Sequence, residues 1–264
     1  MVYKNLKTAI IASINAGKEI LKIYNTDFSF EIKSDNSPLT LADKNANKII
    51  CSILEKTNIP ILSEEGKNID FSERMLWENL WIVDPLDGTK EFIKKNGEFT
   101  VNIALVNNNI PIMGVIFVPV SNELYFAEKN IGSFKTIINN VDSFDVDDII
   151  KSAFKLPTTN TAIYSIVASR SHLNDETKLF IENKENEKKI IETISKGSSL
   201  KFCLIAEGKA DIYPRFGPTM EWDTAAGQAI AMYSGAKVYL SENKNNTLLY
   251  NKENLLNPYF IVEK

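Results

Sequence analysis

The chain contains 264 residues, of which 44% are hydrophobic and 24% charged, so it is long enough for one large domain or two packed ones and has an ordinary globular composition. Its formal net charge is −4 and its pI is about 5.3, which argues against a nucleic-acid coat protein or a basic membrane-surface protein.

The sequence favours a cytoplasmic location. Cys51 and Cys203 are the only cysteines, which argues against a disulfide framework and fits a reducing compartment. Charged residues interrupt the start of the chain, where a signal peptide would have its apolar core. The most apolar stretch, 110–120, is short and contains two prolines. We therefore expect no membrane span and no nucleic-acid partner.

The first part of the sequence alternates helical and strand-like patterns. Apolar residues spaced three or four positions apart predict helices, and short apolar runs predict strands. The predicted order is a helix over 3–24, a strand over 28–32, a helix over 40–57, a strand over 59–62 and a surface loop or hairpin over 67–79. Asp43 has the position of a capping-box acid that faces the Thr40 amide. Near a metal site the same acid could instead orient a hydroxyl or a water.

The segment 81–92 reads Trp-Ile-Val-Asp-Pro-Leu-Asp-Gly-Thr-Lys-Glu-Phe. Its apolar start predicts a buried strand that ends at Asp84, and a short helical pattern follows over 90–95. Asp84 and Asp87 place two carboxylates at one mouth, where Gly88 allows a ligand to approach the backbone closely. Hard divalent cations prefer such oxygen ligands, and a helix N-terminus favours phosphate. The segment therefore predicts a metal-dependent phosphatase.

Two residues near this segment can be interpreted in two ways. Thr89 opens the predicted helix and is either a plain N-cap or a hydroxyl that hydrogen-bonds the attacking water. Glu64 follows the strand over 59–62 in the sequence Ser-Glu-Glu-Gly, which is typical of a solvated turn. Its carboxylate could also point into the mouth that holds Asp84.

The remaining sequence is first rich in strands and then alternates strands with helices. Strands over 100–106, 113–118 and 123–128 predict an antiparallel meander, and the pattern is less clear over 135–160. Later strands are predicted over 164–168, 190–193, 211–213, 236–240 and 258–262, and helices over 174–184, 200–207 and 222–233. This alternation predicts an α/β layer structure, with a domain boundary near Pro157.

The residues exclude three other phosphatase chemistries. A cysteine phosphatase needs Arg six positions after its Cys, and neither cysteine has one. An aspartyl-phosphate enzyme needs two Asp separated by one residue, whereas two residues separate Asp84 from Asp87. A histidine phosphatase typically uses a second His, and His172 is the only one. Attack by metal-activated water, with carboxylates as ligands, remains.

Two signatures resemble those of the lithium-sensitive inositol monophosphatase superfamily. The segment Asp-Pro-Leu-Asp-Gly-Thr at 84–89 resembles the first, and Trp-Asp-Thr-Ala-Ala-Gly at 222–227 resembles the second. The resemblance covers nearly the whole chain outside 135–160. Within the superfamily, Ser-Arg-Ser-His at 169–172 and the segment 197–227 resemble the bisphosphate nucleotidases.

The resemblance implies an α/β (α+β) fold, a layered αβαβα sandwich of the inositol monophosphatase / fructose-1,6-bisphosphatase type. Residues 1–157 would form an N-terminal α+β domain with most metal ligands, and 158–264 a C-terminal α/β domain with the nucleotide-base pocket. Roughly two or three Mg2+ per active site are implied. The implied metal ligands are Glu64, Asp84, the Leu86 carbonyl, Asp87 and Asp223. From the residues alone, Asp223 could instead be a plain N-cap.

The implied reaction is hydrolysis of the 3'-phosphate of 3'-phosphoadenosine 5'-phosphate to AMP and phosphate. Thr89, oriented by Asp43, would hold the attacking water, which makes these two the catalytic pair. The implied substrate-binding residues are Glu64, Leu86, Asp87, Gly88, Thr89, Ser169, His172, Gly197, Lys201 and Asp223. A helix N-terminus at 198–199 suits a 5'-phosphate. Two of the three arginines, Arg170 and Arg215, fall in the nucleotidase-like segments, where a planar guanidinium suits phosphate.

Two other functions stay open at this point. An inositol or sugar monophosphatase would keep the metal site but need hydroxyl-binding acids where this chain has residues 169–172. A non-catalytic regulatory scaffold would not require all of the metal-ligand positions to be filled. The resemblance further implies inhibition by Li+, a small-molecule nucleotide as the partner, and a role in sulfate assimilation. It leaves open a peripheral association with the cytoplasmic face of the inner membrane.

Overall fold

The computed structural model describes residues 2–26, 30–32, 38–160, 162–169, 174–187 and 191–264. The helices are α1 (Val2–Tyr24), α2 (Leu41–Leu54), α3 (Phe71–Arg74), α4 (Thr89–Ile93), α5 (Val146–Ser152), α6 (Asp175–Glu187), α7 (Leu200–Glu207) and α8 (Glu221–Ser234), with a 3-10 turn at Glu55–Thr57. The strands of the first half are β1 (Phe30–Ile32), β2 (Pro38–Thr40), β3 (Ile61–Ser63), β4 (Asn79–Asp87), β5 (Thr100–Asn107), β6 (Ile110–Val118), β7 (Glu123–Glu128), β8 (Gly132–Ile137) and β9 (Phe154–Lys155). Those of the second half are β10 (Tyr164–Ser169), β11 (Ile191–Lys196), β12 (Ile212–Arg215), β13 (Lys237–Leu240) and β14 (Phe260–Glu263).

Two large sheets organise these strands. The first has seven strands in the order β3-β4-β5-β6-β7-β8-β9. Its β3–β4 pair is parallel, and β4 to β9 form a continuous antiparallel meander. The second has five strands in the order β11-β10-β12-β14-β13, with β10 parallel to β11 and β12 and with β14 antiparallel to both of its neighbours. A separate short pair joins β1 to β2 in antiparallel register.

The helices and sheets form five layers, which three apolar cores hold together. The first lies between helices α1 and α2 and one face of the seven-stranded sheet, where Ile14, Ile50 and Phe117 are buried. The second holds α7 and α8 between the two sheets, with Phe202 and Phe260 among its members. The third joins the outer face of the five-stranded sheet to α6. The predicted αβαβα sandwich is confirmed.

The structure corrects several element boundaries. The strand predicted to end at Asp84 continues to Asp87, because a bulge lets the chain pass Pro85 without breaking the strand. The stretch 67–79 contains the short helix α3 and the start of β4, and 135–160 contains α5 and β9. Strand β12 extends to Arg215, two residues beyond the strand predicted over 211–213. The predicted domain boundary at 157/158 stays a prediction, and the middle core draws residues from both sides of it.

Two further features bear on location. Cys51 and Cys203 are both free thiols, so the described structure contains no disulfide between them. None of the helices in the described ranges combines the length and the apolarity needed to cross a bilayer.

Candidate active site

A bulge in β4 brings Asp84 and Asp87 to one side of the sheet. Asp84 pairs with Asn102 of β5 and Asp87 with Thr100, so three steps along β4 match two along β5. In a regular strand, residues three apart face opposite sides, and the extra residue of a bulge removes that alternation. Pro85 has no N–H to donate and lies in the irregular stretch. Both carboxylates therefore line the same cleft, whose volume is about 280 Å³.

Three more acids converge on this cleft from other elements. Strand β3 runs parallel to β4, and its last residue, Ser63, pairs with Val83. Glu64 follows directly, and its N–H donates to the Val83 carbonyl at 3.1 Å. Asp43 lies in the first turn of α2 and is 1% exposed. Asp223 lies in the first turn of α8. Glu64 and Asp223 line the cleft with Asp84, and Asp43 is close enough to act on Asp84 electrostatically.

Two of these acids, Asp84 and Asp223, have raised pKa values. Burial raises the pKa of Asp84 well above its usual range, and the negative charges of Glu64, Asp87, Asp223 and Asp43 raise it further. Burial, followed by the charge of Asp87, raises the pKa of Asp223 to about 8. So many carboxylates at one cleft are costly without a counter-charge, because each disfavours ionisation of the others. The cluster is therefore suited to a cation.

Two of the aspartates each anchor one oxygen and leave the other unused. Asp84 Oδ1 accepts a hydrogen bond from the Leu86 N–H at 3.1 Å. Asp223 Oδ2 accepts one from the Met220 N–H at 2.8 Å, which places Asp223 at the third helical position and corrects its interpretation as an N-cap. The second oxygen of each makes no hydrogen bond to the part of the chain that the structure describes. Those oxygens remain for a ligand.

Asp87 is held by the turn that begins α7. Its Oδ2 accepts hydrogen bonds from the Ser198 hydroxyl at 2.6 Å and from the N–H and the hydroxyl of Ser199, both at 2.7 Å. The Asn102 amide donates to the same oxygen at 3.3 Å. The N-terminus of α7, which we expected to suit a 5'-phosphate, is therefore occupied in part by this carboxylate. Its partial positive charge favours an anion in either case.

Two cationic side chains, Lys201 and Arg215, line the same cleft and are termed its cationic wall, and Glu64, Asp84, Asp87 and Asp223 are termed its acidic wall. Lys201 is 5% exposed, donates to the Ser198 carbonyl at 2.5 Å, and has its pKa lowered to about 8 by burial. Arg215 donates through Nη2 to the Pro218 carbonyl at 2.9 Å, whereas its buried Nε has no hydrogen-bond partner among the described residues. A buried donor without a partner is costly, so this N–H is available to an anion that binds in the cleft. A cleft that is lined by both acids and cations suits a phosphate ester.

The residues fit a hard divalent cation by their chemistry. Glu64, Asp84, Asp87 and Asp223 supply the oxygen ligands that Mg2+ prefers, and the two anchored aspartates keep an oxygen unused. Within the described ranges, no three acidic, histidine or cysteine side chains are gathered as closely as a bound metal requires. The donor set would therefore have to draw together around an ion.

The structure locates the smaller residues of the predicted site. Thr89 is the first helical residue of α4 and lines the cleft, and its alternative interpretation as the N-cap is wrong because Gly88 has that position. Gly88 has a φ of +92°, which favours glycine, and an added Cβ would lie 3.2 Å from the Glu98 carbonyl. The N–H of Gly197 donates to the Glu98 carboxylate at 2.9 Å, so this glycine is tied to the loop before β5.

The nucleotide-pocket residues of the predicted site are described only in part. Ser169 ends β10, opposite Lys196 in the register of β11, and nothing is described of its side chain. His172 lies outside the described residues. The sequence related residues 198–199 and Arg215 to a substrate phosphate but did not name them among the site residues. Only the rarity of arginine pointed to Arg215, and no signal in the sequence paired the two serines with Asp87.

Comparisons with known proteins agree over nearly the full length. A model of the inositol monophosphatase family matches residues 3–259. The 3'(2'),5'-bisphosphate nucleotidase CysQ of Escherichia coli strain K12 is 41% identical over 253 residues, which are 94% of this chain and 95% of that protein. The protein of the same name from Haemophilus influenzae is 32% identical over 265 residues, with 97% and 91% covered.

Solved structures resemble this one closely. The crystal structure of CysQ from Bacteroides thetaiotaomicron, described as a bacterial member of the inositol monophosphatase family, has a TM-score of 0.90 and 52% identity, with 98% of this chain and 97% of that chain covered. The IMPase from Thermotoga maritima has a TM-score of 0.74 at 23% identity, with 98% and 92% covered, which is a likeness of fold alone.

Proposed function

The chain belongs to the inositol monophosphatase family, and we propose that within it this protein acts as a 3'(2'),5'-bisphosphate nucleotidase. It is a phosphatase that hydrolyses the 3'-phosphate of 3'-phosphoadenosine 5'-phosphate to AMP and phosphate. The observation that carries this proposal is that four acids and the cations Lys201 and Arg215 line one cleft. The substrate carries two phosphates, and the cleft offers a separate set of groups for each.

The acidic wall is the reaction centre of the proposal. Glu64, Asp84, Asp87, Asp223 and the Leu86 carbonyl would hold Mg2+, roughly two or three ions per site, by analogy with two-metal phosphatases. When bound, such ions supply Lewis acidity at the phosphoryl oxygens and lower the pKa of the attacking water. Lys201 and Arg215, on the same cleft, would hold the anionic ester.

Thr89 and Asp43 are proposed as the catalytic pair. The Thr89 hydroxyl lies on the cleft at the start of α4, where it would accept a hydrogen bond from the attacking water and so orient it. Asp43 is buried behind the acidic wall and is proposed to fix the direction of that hydroxyl. The pair aligns water and phosphate, and such alignment accounts for much of the catalysis in phosphoryl transfer.

The cationic wall is proposed to select a nucleotide with a second phosphate. Arg215 offers a buried Nε that no described residue uses, and a guanidinium binds phosphate through two donors in a fixed plane. Lys201 adds a nearby positive charge. We place Gly88 and Gly197 at the phosphate and ribose, and Ser169 and His172 at the adenosine. A cytoplasmic location, with or without peripheral membrane association, belongs to the same proposal.

The test is phosphate release from 3'-phosphoadenosine 5'-phosphate with Mg2+ present and with EDTA added. The expected products are AMP, with its 5'-phosphate intact, and free phosphate that carries one oxygen from 18O-labelled water. Asp84→Asn should lose this activity, whereas the exposed Asp70→Asn, a matched change away from the cleft, should keep it. Release of the 5'-phosphate, or full activity of Asp84→Asn, would contradict the proposal.

A further inference from the structure

Asn102 is a buried polar residue whose whole side-chain amide is in use. It lies on β5, is 1% exposed, and faces Asp84 across the strand pair. Its Nδ2 donates to Asp87 Oδ2 at 3.3 Å and to the Ser199 hydroxyl at 2.9 Å, and its Oδ1 accepts from the Thr100 hydroxyl at 2.9 Å. Both amide hydrogens and one lone pair of the amide oxygen are engaged, so the plane of the amide is fixed.

Thr100 and Asn102 lie two residues apart on β5 and so share one face of the sheet. The Thr100 hydroxyl lies 2.6 Å from the Ser198 hydroxyl, which in turn donates to Asp87. The contacts therefore close a ring through Asn102, Thr100, Ser198 and Asp87, in which the two hydroxyl protons of Thr100 and Ser198 serve three contacts. Ser199 belongs to the same network, and its single hydroxyl proton is shared between Asp87 and the Asp223 carbonyl, which lies 2.8 Å away. The network thus joins β5 of the first sheet to the starts of α7 and α8.

The ring connects the two walls of the cleft. Asp87 is part of the acidic wall, while the turn at Ser198 and Ser199 leads directly into α7, which carries Lys201. Lys201 in turn bonds the carbonyl of Ser198. A shift of the Asn102 amide would therefore move the acid and the cation relative to each other.

We infer that Asn102 is a positioning residue, which fixes the Asp87 carboxylate against the start of α7 so that the acidic and cationic walls of the cleft keep one spacing. It does not touch the reacting atoms. It affects the affinity for a divalent cation and the binding of the substrate's second phosphate by the cationic wall. The inference rests on the proposed function in taking Asp87 as a metal ligand, and it does not depend on which phosphate ester is the substrate.

The first test is a titration with Mn2+, followed by electron paramagnetic resonance and calorimetry, on the full chain without substrate. Asn102→Leu keeps the approximate shape of the side chain and removes every hydrogen bond of the amide. We expect Mn2+ binding to weaken by about 10- to 100-fold, which is the usual effect of removing a group that orients a metal ligand. The KM for 3'-phosphoadenosine 5'-phosphate should rise in the same variant. Unchanged Mn2+ affinity in folded Asn102→Leu would overturn the inference.

Thr100→Val provides a second, milder variant in case Asn102→Leu fails to fold. It removes the hydroxyl that fixes Asn102 Oδ1 and leaves the amide in place. We expect a smaller loss of Mn2+ affinity in the same direction. The double variant should bind Mn2+ no more weakly than Asn102→Leu alone, because both residues act through one ring. Additive losses in the double variant, or no loss in Thr100→Val, would contradict the ring.

Asn107→Leu is the matched control, since it changes the same residue type at the far end of β5. There the amide bonds Asn79 at 3.0 Å, away from the cleft. Its Mn2+ affinity and KM should stay at the values of the unmodified protein, and equal losses in Asn107→Leu would show a general strand defect and overturn the inference. If the unmodified protein binds Mn2+ but does not cleave the nucleotide, only the proposed function fails. If it does not bind Mn2+ at all, the inference about Asn102 fails with it.

Discussion

Asp223→Asn should make the metal-free protein more stable at high pH while abolishing its activity. The change keeps the shape of the side chain, and the amide oxygen can still accept the hydrogen bond from the Met220 N–H. What it removes is the negative charge in a cluster that already raises the pKa of Asp223 to about 8. A residue retained at the expense of stability is expected where a ligand supplies the missing counter-charge.

The sign of the pH dependence follows from the direction of that pKa shift. The folded protein holds the Asp223 proton more tightly than the unfolded chain, whose Asp has a pKa near 3.8. Stability from this group is therefore greatest at low pH and falls as the pH rises from about 4 to about 8. Between pH 5 and pH 8, the stability lost through this group would be about 4 kcal/mol without solvent screening, at 1.36 kcal/mol per pH unit. Asp223 is partly exposed to the cleft, and solvent screening lowers the expected effect to roughly 2 to 4 kcal/mol.

The assay is urea unfolding in EDTA at pH 5 and pH 8 for both proteins. Because groups outside the cleft titrate equally in both, the difference between variant and unmodified protein reports Asp223 together with Asp84, whose pKa the Asp223 charge raises. The free energy of unfolding should be higher in Asp223→Asn, and the gap should widen toward pH 8. Added Mg2+ should close the gap by stabilising the unmodified protein, by about 2.7 kcal/mol at one hundred times the Kd. The reasoning would be refuted if the variant were less stable than the unmodified protein at pH 8, or if the difference in their free energies of unfolding did not change with pH.

The other predictions concern recognition, inhibition and packing. Arg215→Lys should raise the KM for the nucleotide by about 10- to 100-fold, the loss of a charged hydrogen bond, with little effect on the melting temperature; an unchanged KM would remove Arg215 from the site. Li+ titrated at fixed Mg2+ should inhibit phosphate release, and indifference to Li+ would count against the proposed metal site. Gly114→Ala should lower the free energy of unfolding by about 1 to 3 kcal/mol through overpacking, because the added Cβ would lie 2.4 Å from the Ala226 carbonyl and 2.9 Å from Ala229 Cβ. Gly217→Ala is its control, since the nearest atom there is 3.8 Å away, and equal losses in both would contradict the packing argument.

The helices and strands of the layered fold can be predicted from local patterns in the sequence. Buried strands such as β5 and β6 are near-continuous apolar runs, and α1 repeats its apolar residues every three or four positions. These patterns depend on neighbours in the chain, so they can be recognised without a structure. The ends of elements are harder to predict. Strand β4 runs through Pro85 because a bulge, which depends on the partner strand, accommodates it.

The candidate site divides in the same way. The acids at Asp84, Asp87 and Asp223 stand in recognisable segments, so the sequence predicts them together. Their shared cleft, however, depends on the register of β5, and a register has no signature within β4 itself. Asn102 is hidden by its position in an apolar strand, where a lone polar residue has no evident partner. Its partners lie 15 and 97 positions away in sequence, so only the folded chain reveals them.

The most direct test of the account compares phosphate release from 3'-phosphoadenosine 5'-phosphate and from inositol 1-phosphate, side by side with Mg2+. The account predicts a kcat/KM for the nucleotide at least about 100-fold higher, because a second phosphate that meets Arg215 and Lys201 contributes charged hydrogen bonds that the inositol ester cannot make. Comparable turnover of both esters, or preference for the inositol ester, would leave the acidic wall intact and contradict the role of the cationic wall. Turnover of neither would contradict the assignment of the cleft as an active site for either ester.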